Sequence, residues 1–403
     1  MTAQTPTSIA SRQQLAAPTE LAHDVGLRPI ATAPQHIAAQ PLAIKSDPGT
    51  IDHALAEGRY QTPLRYPGAK TGLANLIGTL ITAATESTQV QRVDLLVEPF
   101  AGGASTSLRL VGQGTVGRVL LADADPLVAA FWQVAASRAS DLIARMHEEP
   151  VTLDRWDYWR SWAPRPGTAA ATARFEAAVK CLFLNRTTFS GILHGRAGPV
   201  GGRTQNSDYD IGCRFNKDAL AGRISYVGHL YDTRRLVDVW CLDWQSTLDK
   251  VASVYKTLVP NHVVAYIDPP YLEKSTKLYQ TSFDPAGGYA TPPTRDLGWT
   301  SRLQHERLAD YLNRNAQYRW VLSYDNHPAL LRSGLLYSRD RMSPSREAKA
   351  LAGVREWRIS KRIVSLRYTA AARNGRGAAE ELLMTTMPPA TVPMNDEFRT
   401  VAH

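Results

Sequence analysis

The chain has 403 residues, of which 44% are hydrophobic and 21% charged, enough for one large soluble globular domain with an insertion or for two domains. No uninterrupted apolar run of roughly 18 residues is present, which excludes a helix long and apolar enough to span a membrane. The net charge of +9 is uneven: Arg295 to Arg376 holds 17 Lys and Arg against 7 Asp and Glu, a balance that favours a polyanion partner.

Residues 1–60 are rich in Ala, Gln, Thr and Pro, so a disordered or weakly structured extension is expected there. They lack the basic start and apolar stretch of a secretory signal, and Glu20 and Asp24 argue against a transit peptide. A first half of the main domain is expected over 61–150. Tyr66-Pro67-Gly68-Ala69-Lys70 is a turn-rich lead-in to a helix reaching about Ala83, with Leu73, Leu76, Ile77, Leu80 and Ile81 on one face. A strand over Val93–Glu98 ends in the small-residue turn Pro99 to Ser105. A helix from about Thr106 to Val111 follows, then a strand over Arg118–Ala122 ending at Asp123, then a helix from Leu127 to about Ala136. Small residues let a ligand approach the backbone, and the helix after them offers unpaired N–H groups. Asp123 lies 21 residues beyond Gly102 at the next strand end, where an acidic group commonly holds ribose hydroxyls.

An insertion over 151–235 interrupts this β-α-β-α pattern. Trp156, Trp159 and Trp162 read as core packing, and a helix from Ala170 to Leu184 leads into Asn185-Arg186 and on to Arg196. The glycine-rich span to Phe215, with Arg203 and Arg214, suits entry into a DNA groove. The parallel pattern resumes over 236–388. A strand over Leu236–Leu242 ends at Asp243, and a helix follows from about Ser246 to Leu258. The strand Val263–Ile267 is apolar throughout, as in a sheet covered on both faces. It stops at Asp268-Pro269-Pro270-Tyr271, whose prolines carry the backbone off the strand end in a rigid, extended form. That fixes a carboxylate, a carbonyl and an aromatic ring at the carboxyl edge of the sheet, a set suited to a planar group with an amino function. Leu272 to Gly298 is long enough to be a lid or substrate loop. A helix over Arg302–Arg314, a strand over Trp320–Tyr324, and strands near Ile363–Tyr368 and Glu381–Thr386 complete the pattern, with 389–403 as a tail. The widely spaced Cys181, Cys213 and Cys241 suggest neither disulfides nor a zinc site and fit a reducing cytoplasm.

Taken in order over about 63–388, the segments Tyr66 to Lys70, Glu98-Pro99-Phe100-Ala101-Gly102-Gly103, Asp123-Ala124-Asp125-Pro126, Asn185-Arg186 to Gly191, and Asp268 to Tyr271 resemble the Dam-type family of S-adenosylmethionine-dependent DNA adenine-N6 methyltransferases. The resemblance implies an α/β fold: a Rossmann-like doubly wound methyltransferase sheet with an inserted, mainly helical target-recognition domain. It implies that Tyr66 and Lys70 border the cofactor's methionine portion and that Glu98, Phe100 and Gly102 form its binding turn. Asp123 would hold the ribose, and Asp243 would lie near the cofactor's adenine. Asp268 and Pro269 would accept hydrogen bonds from the target amino group, with Pro270 setting the turn and Tyr271 stacking on the flipped base. Asn185, Arg186, Phe189, Ser190, His194 and Arg196 would belong to a hairpin entering DNA. No metal is implied. Double-stranded DNA is the expected partner of a monomer, or of a dimer on DNA, with a cognate restriction nuclease compatible with the pattern. Two departures stand out. Ala104 replaces a glycine of the family's turn, and His194 falls where readers of GATC carry an arginine, so a GATC target is not implied. The tetrapeptide chemistry leaves open a methyltransferase for cytosine N4 or RNA adenine, and a catalytically silent DNA-binding protein of the same fold.

Overall fold

The computed structural model describes residues 62–65, 71–87, 92–195, 197–271, 302–331, 337, 357–367 and 378–401. Eight strands form one sheet: β1 Leu95–Glu98, β2 Arg118–Asp123, β3 Leu236–Cys241, β4 Val263–Ile267, β5 Arg319–Asp325, β6 Ser360–Arg367, β7 Ala378–Thr385 and β8 Arg399–Thr400. Alternate side chains of a strand point to opposite faces, and here both faces are dry. Leu96, Val119, Leu121, Val264, Tyr266 and Val321 enter one apolar layer. Leu95, Val97, Leu120, Ala122, Val263, Ala265, Ile267 and Leu322 enter the other. This double burial is why β4 reads as an unbroken apolar run.

The strand order is β3-β2-β1-β4-β5-β7-β6-β8. The first five strands are parallel, with Leu96 of β1 opposite Val119 of β2 and Val264 of β4. Strand β7 runs antiparallel to both β5 and β6. Chain order reverses between β1 and β4, and a doubly wound sheet opens its ligand crevice at such a switch point, beyond the carboxyl ends of the strands.

The helices are α1 Thr71–Thr85, α2 Ser105–Gly112, α3 Pro126–Ser137, α4 Ala139–Glu148, α5 Leu153–Ser161, α6 Ala170–Thr187, α7 Lys217–Asp232, α8 Trp244–Val254, α9 Arg302–Arg314 and the short α10 Pro328–Leu331. Asp125 caps α3 by accepting from Leu127 N, and Pro126 occupies the first turn, where its missing N–H costs nothing. Helices α6 and α7 pack against α3. Phe131, Trp132, Leu182, Phe183, Ile224 and Val227 therefore share one continuous core with the sheet. Trp156 and Trp159 are buried in that core, and Trp159 Nε1 donates to Glu149 Oε1 at 2.8 Å.

The stretch after Pro388, expected as a tail, adds β8 to the edge of β6 and buries Val392 and Phe398. Asn395 turns the chain there by accepting from Glu397 N and Phe398 N. A strand of two residues has no readable periodicity, and burying one phenylalanine is worth about 1.5–3 kcal/mol, enough to dock so short a segment. The basic surplus beyond Arg295 is partly internal. Arg319 donates to Thr386 O, Lys361 to Leu330 O and Arg362 to Pro393 O, all three being buried. The 1–60 extension, Tyr66 and Lys70, Arg196 and the Leu272–Gly298 loop lie outside the described residues.

Candidate active site

Three neighbouring strands send side chains of one parity to the same end of the sheet. Glu98 follows Leu96 on β1, Tyr266 follows Val264 on β4, and Ser323 follows Val321 on β5. Asp268, two residues beyond Tyr266, joins them. Ser323 Oγ donates to Asp268 Oδ1 at 3.1 Å and lies 3.2 Å from the Tyr266 hydroxyl. Burial pushes the Glu98 carboxyl up to about 8, with the charge of Asp268 adding to the rise. Hydrogen bonds from Ser107 of α2 oppose that rise, and Glu98 keeps its proton closer to neutrality than a free carboxyl does. Its Oε2 is buried with no hydrogen-bond partner among the described residues. Pro269 and Pro270 are buried, and Tyr271 is half-buried against the second apolar layer. Its hydroxyl donates to Glu381 Oε1 on β7 at 2.7 Å, which fixes the ring beside the strand end.

One strand further out, the glycine turn is tied to β2. Gly102 N donates to Asp123 Oδ2 at 2.8 Å, and Asp125 N donates to Asp123 Oδ1 at 2.9 Å. Burial, then the charge of Asp125, pushes Asp123 up to about 7, while these two N–H donors oppose the rise. Trp132 Nε1 donates to Gly102 O from below at 2.9 Å. Gly102 has φ +43 and Ala104 has φ +46. The second value puts a Cβ where the left-handed region disfavours one, so the alanine keeps the glycine-like turn at a backbone cost. Helix α2 then begins without a side-chain cap. Phe100 packs on the second apolar layer. Asp243 sits at the end of β3 but caps α8, accepting from Gln245 N, Ser246 N and Ser246 Oγ.

The hairpin residues divide. Asn185 and Arg186 are buried in the last turn of α6. Asn185 Oδ1 accepts from Arg65 N at 2.6 Å, and its Nδ2 donates to Arg65 O and Gly191 O. Arg186 Nε donates to Pro63 O at 2.7 Å. Both residues anchor the 62–65 segment and lie away from solvent. Gly191, at φ +77, passes so close to Arg65 O that a Cβ would stand 2.5 Å from it. Phe189 is 63% exposed, and Ser190 beside it has φ +56. His194 turns inward, its Nε2 lying 2.6 Å from Asp125 Oδ2.

Sequence reasoning missed Ser323, Glu381 and the second role of Asp125. The signal for Ser323 was a lone polar residue of core parity inside an apolar strand. Glu381 opened an expected strand, but nothing local pairs it with Tyr271, 110 residues earlier. No curated protein matches the chain. Residues 66–199, which hold β1, β2 and the hairpin but end before Asp268, match the family model described as D12 class N6 adenine-specific DNA methyltransferase. The match covers about a third of the chain, and over those residues the chain is similar to that family.

Proposed function

We propose that the chain transfers a methyl group from S-adenosylmethionine to the N6 amino group of a flipped adenine in duplex DNA. The observation that carries this reading is the Asp268–Ser323–Tyr266–Glu98 cluster at the β1/β4 switch point. The residues on the neighbouring strand ends fit the cofactor. A carboxylate has about four lone-pair sites, and Asp123 uses two on backbone N–H groups, leaving acceptors for ribose hydroxyls. The glycine turn before α2 suits a carboxylate, and the Glu98 carboxyl, whose ionised form a cation beside it would favour, suits the amino group through Oε2. Tyr66, Lys70 and Phe100 complete the proposed binding set. Asp243, already committed to its cap, borders the adenine end of the site. When bound, the sulfonium supplies an electrophilic methyl group.

The chain's own work lies on the other side of that transfer. The lone pair of the exocyclic nitrogen is delocalised into the adenine ring. Hydrogen bonds from N6–H to Asp268 and to the Pro269 carbonyl would localise it on the nitrogen that takes the methyl group. The proton leaves once the nitrogen is cationic, so Asp268 need not be a strong base. Ser323 holds Asp268 in one orientation, and Glu381 holds Tyr271, whose ring stacks on the flipped base and offsets part of the unstacking cost. In the hairpin, exposed Phe189 and half-buried Ser190 supply DNA-facing groups, Arg196 is proposed to add to them, and Asn185 and Arg186 fix the hairpin base. The insertion over 151–235 acts as the target-recognition unit, and DNA is its partner. The test is a transfer assay with labelled cofactor on duplex DNA, single-stranded DNA and RNA, with the methylated base identified afterwards. N6-methyladenine in duplex DNA is expected. N4-methylcytosine, methylation of RNA alone, or no transfer overturns the reading.

A further inference from the structure

The ring of His194, on the hairpin, is bonded within the protein. Its Nε2 lies 2.6 Å from Asp125 Oδ2, and the Asp125 side chain is only 3% exposed. Asp125 Oδ1 accepts from Leu127 N, which pins the start of α3, while Asp125 N donates to Asp123 Oδ1. Asp123 Oδ2 in turn accepts from Gly102 N. The contacts thus run from the hairpin to the Asp125 carboxylate, and from the Asp125 backbone N–H through the Asp123 carboxylate to the glycine turn. The residues on either side of His194 are held as well. Arg160 of α5 donates to Leu193 O at 3.1 Å and also to Gly195 O.

We infer that His194 is a positioning residue of the cofactor edge, holding Asp125 and through it Asp123, so that the seating of the recognition hairpin sets the affinity for the nucleoside cofactor. The inference rests on the proposed cofactor site and adds a residue from the hairpin to it. Two carboxyl groups stand two residues apart at Asp123 and Asp125, and the imidazole lies against the second. Without the ring, the Asp125 carboxylate keeps Leu127 N on Oδ1 but loses its contact on Oδ2, which loosens the residue whose N–H meets Asp123. His194 also opposes the rise of Asp123, favouring the ionised form that accepts hydroxyl groups. Because such coupling is reciprocal at equilibrium, whatever moves the hairpin changes cofactor affinity by the factor with which cofactor changes the hairpin.

The experiment is titration calorimetry of S-adenosylhomocysteine into the full chain without DNA. Sequencing of methylated bases made by each variant on unmethylated, polymerase-amplified duplex DNA accompanies it. His194→Ala is expected to weaken binding about tenfold, in the usual range of inter-site coupling. His194→Gln, whose amide nitrogen reaches as Nε2 does, restores most of the affinity, whereas His194→Asn does not. The methylated sequence stays the same in every variant. Unchanged affinity in His194→Ala overturns the inference, and unchanged affinity with a relaxed target sequence makes the imidazole a base reader instead. If His194→Ala does not fold, the Gln and Asn variants carry the test, and equal affinities for those two overturn it. A wild-type chain that binds no S-adenosylhomocysteine defeats the underlying cofactor reading, a different result from any of these.

Discussion

The strand-end cluster and the hairpin base are both short polar runs beside apolar segments, and the fold uses them in opposite ways. Glu98, Asp268 and Ser323 stand where strands stop, so their polar groups meet at the carboxyl edge of the sheet, with Glu98 and Ser323 buried and Asp268 half-buried. Asn185 and Arg186 stand at the end of a helix buried on all sides, from Cys181 through Thr187. A helix without a wet face gives its polar residues only backbone to bond to. Polar residues at a sheet's carboxyl edge are available for chemistry. The same residue types at the end of a buried helix hold the chain in place.

The sharpest way to break that contrast is Asp268→Ala. We expect methyl transfer to fall at least about 10²-fold, as when one preorganised hydrogen-bonding group is lost, with cofactor affinity retained. Transfer at the wild-type rate would remove Asp268 from the site. On the other side, Asn185→Ala strands the N–H and C=O of Arg65, and we expect a loss of about 2–4 kcal/mol in a denaturant titration. Unaltered stability together with weakened DNA binding would instead make Asn185 a direct contact. Ser323→Ala should lower kcat about tenfold, or ~1.4 kcal/mol, without altering cofactor affinity, and Ser323→Thr should recover most of it. Equal kcat for all three forms would leave Asp268 oriented by something else.

Glu98 gives a pH signature. Folding raises its pKa, so the protonated carboxyl favours the folded state at low pH. That contribution is lost as pH climbs from the ordinary 4.5 to about 8. Glu98→Gln should flatten the fall of Tm across that window, by up to ~1.4 kcal/mol per pH unit. A variant with the wild-type slope would mean that Glu98 is charged in the folded protein. The smallest effect is that of Ala104→Gly. Relief of the φ +46 strain should outweigh the added chain entropy by less than about 1 kcal/mol, seen as a small rise in Tm.

The parallel strands were legible because each is mostly apolar and is followed by an acid or a turn. The expected Val263–Ile267 strand and Arg302–Arg314 helix coincide with β4 and α9. The strand-end carboxylates were legible for the same reason: their place follows from where an apolar run ends. Side-chain direction was not. Nothing near Asn185 indicates that Arg65, 120 residues earlier, will take its amide. Nor does the sequence around Asp243 distinguish a ligand-facing acid from a helix cap, since both need an acceptor just before a helix. Three arginine and lysine residues counted toward a basic surface proved to be supports for carbonyl groups, a use that charge counting cannot see.

The pairing of β1 with β4 brings Leu95 beside Val263 and so unites chain segments separated by the whole hairpin region. Each segment carries half of the proposed chemistry, the glycine turn on one and Asp268 on the other. Catalytic competence is therefore a report on long-range folding. Neither half alone can hold a working pocket, while two fragments cut between α7 and β3 could regain activity only by rebuilding that seam. Fragment complementation would turn the central pairing of this sheet into a measurable reconstitution.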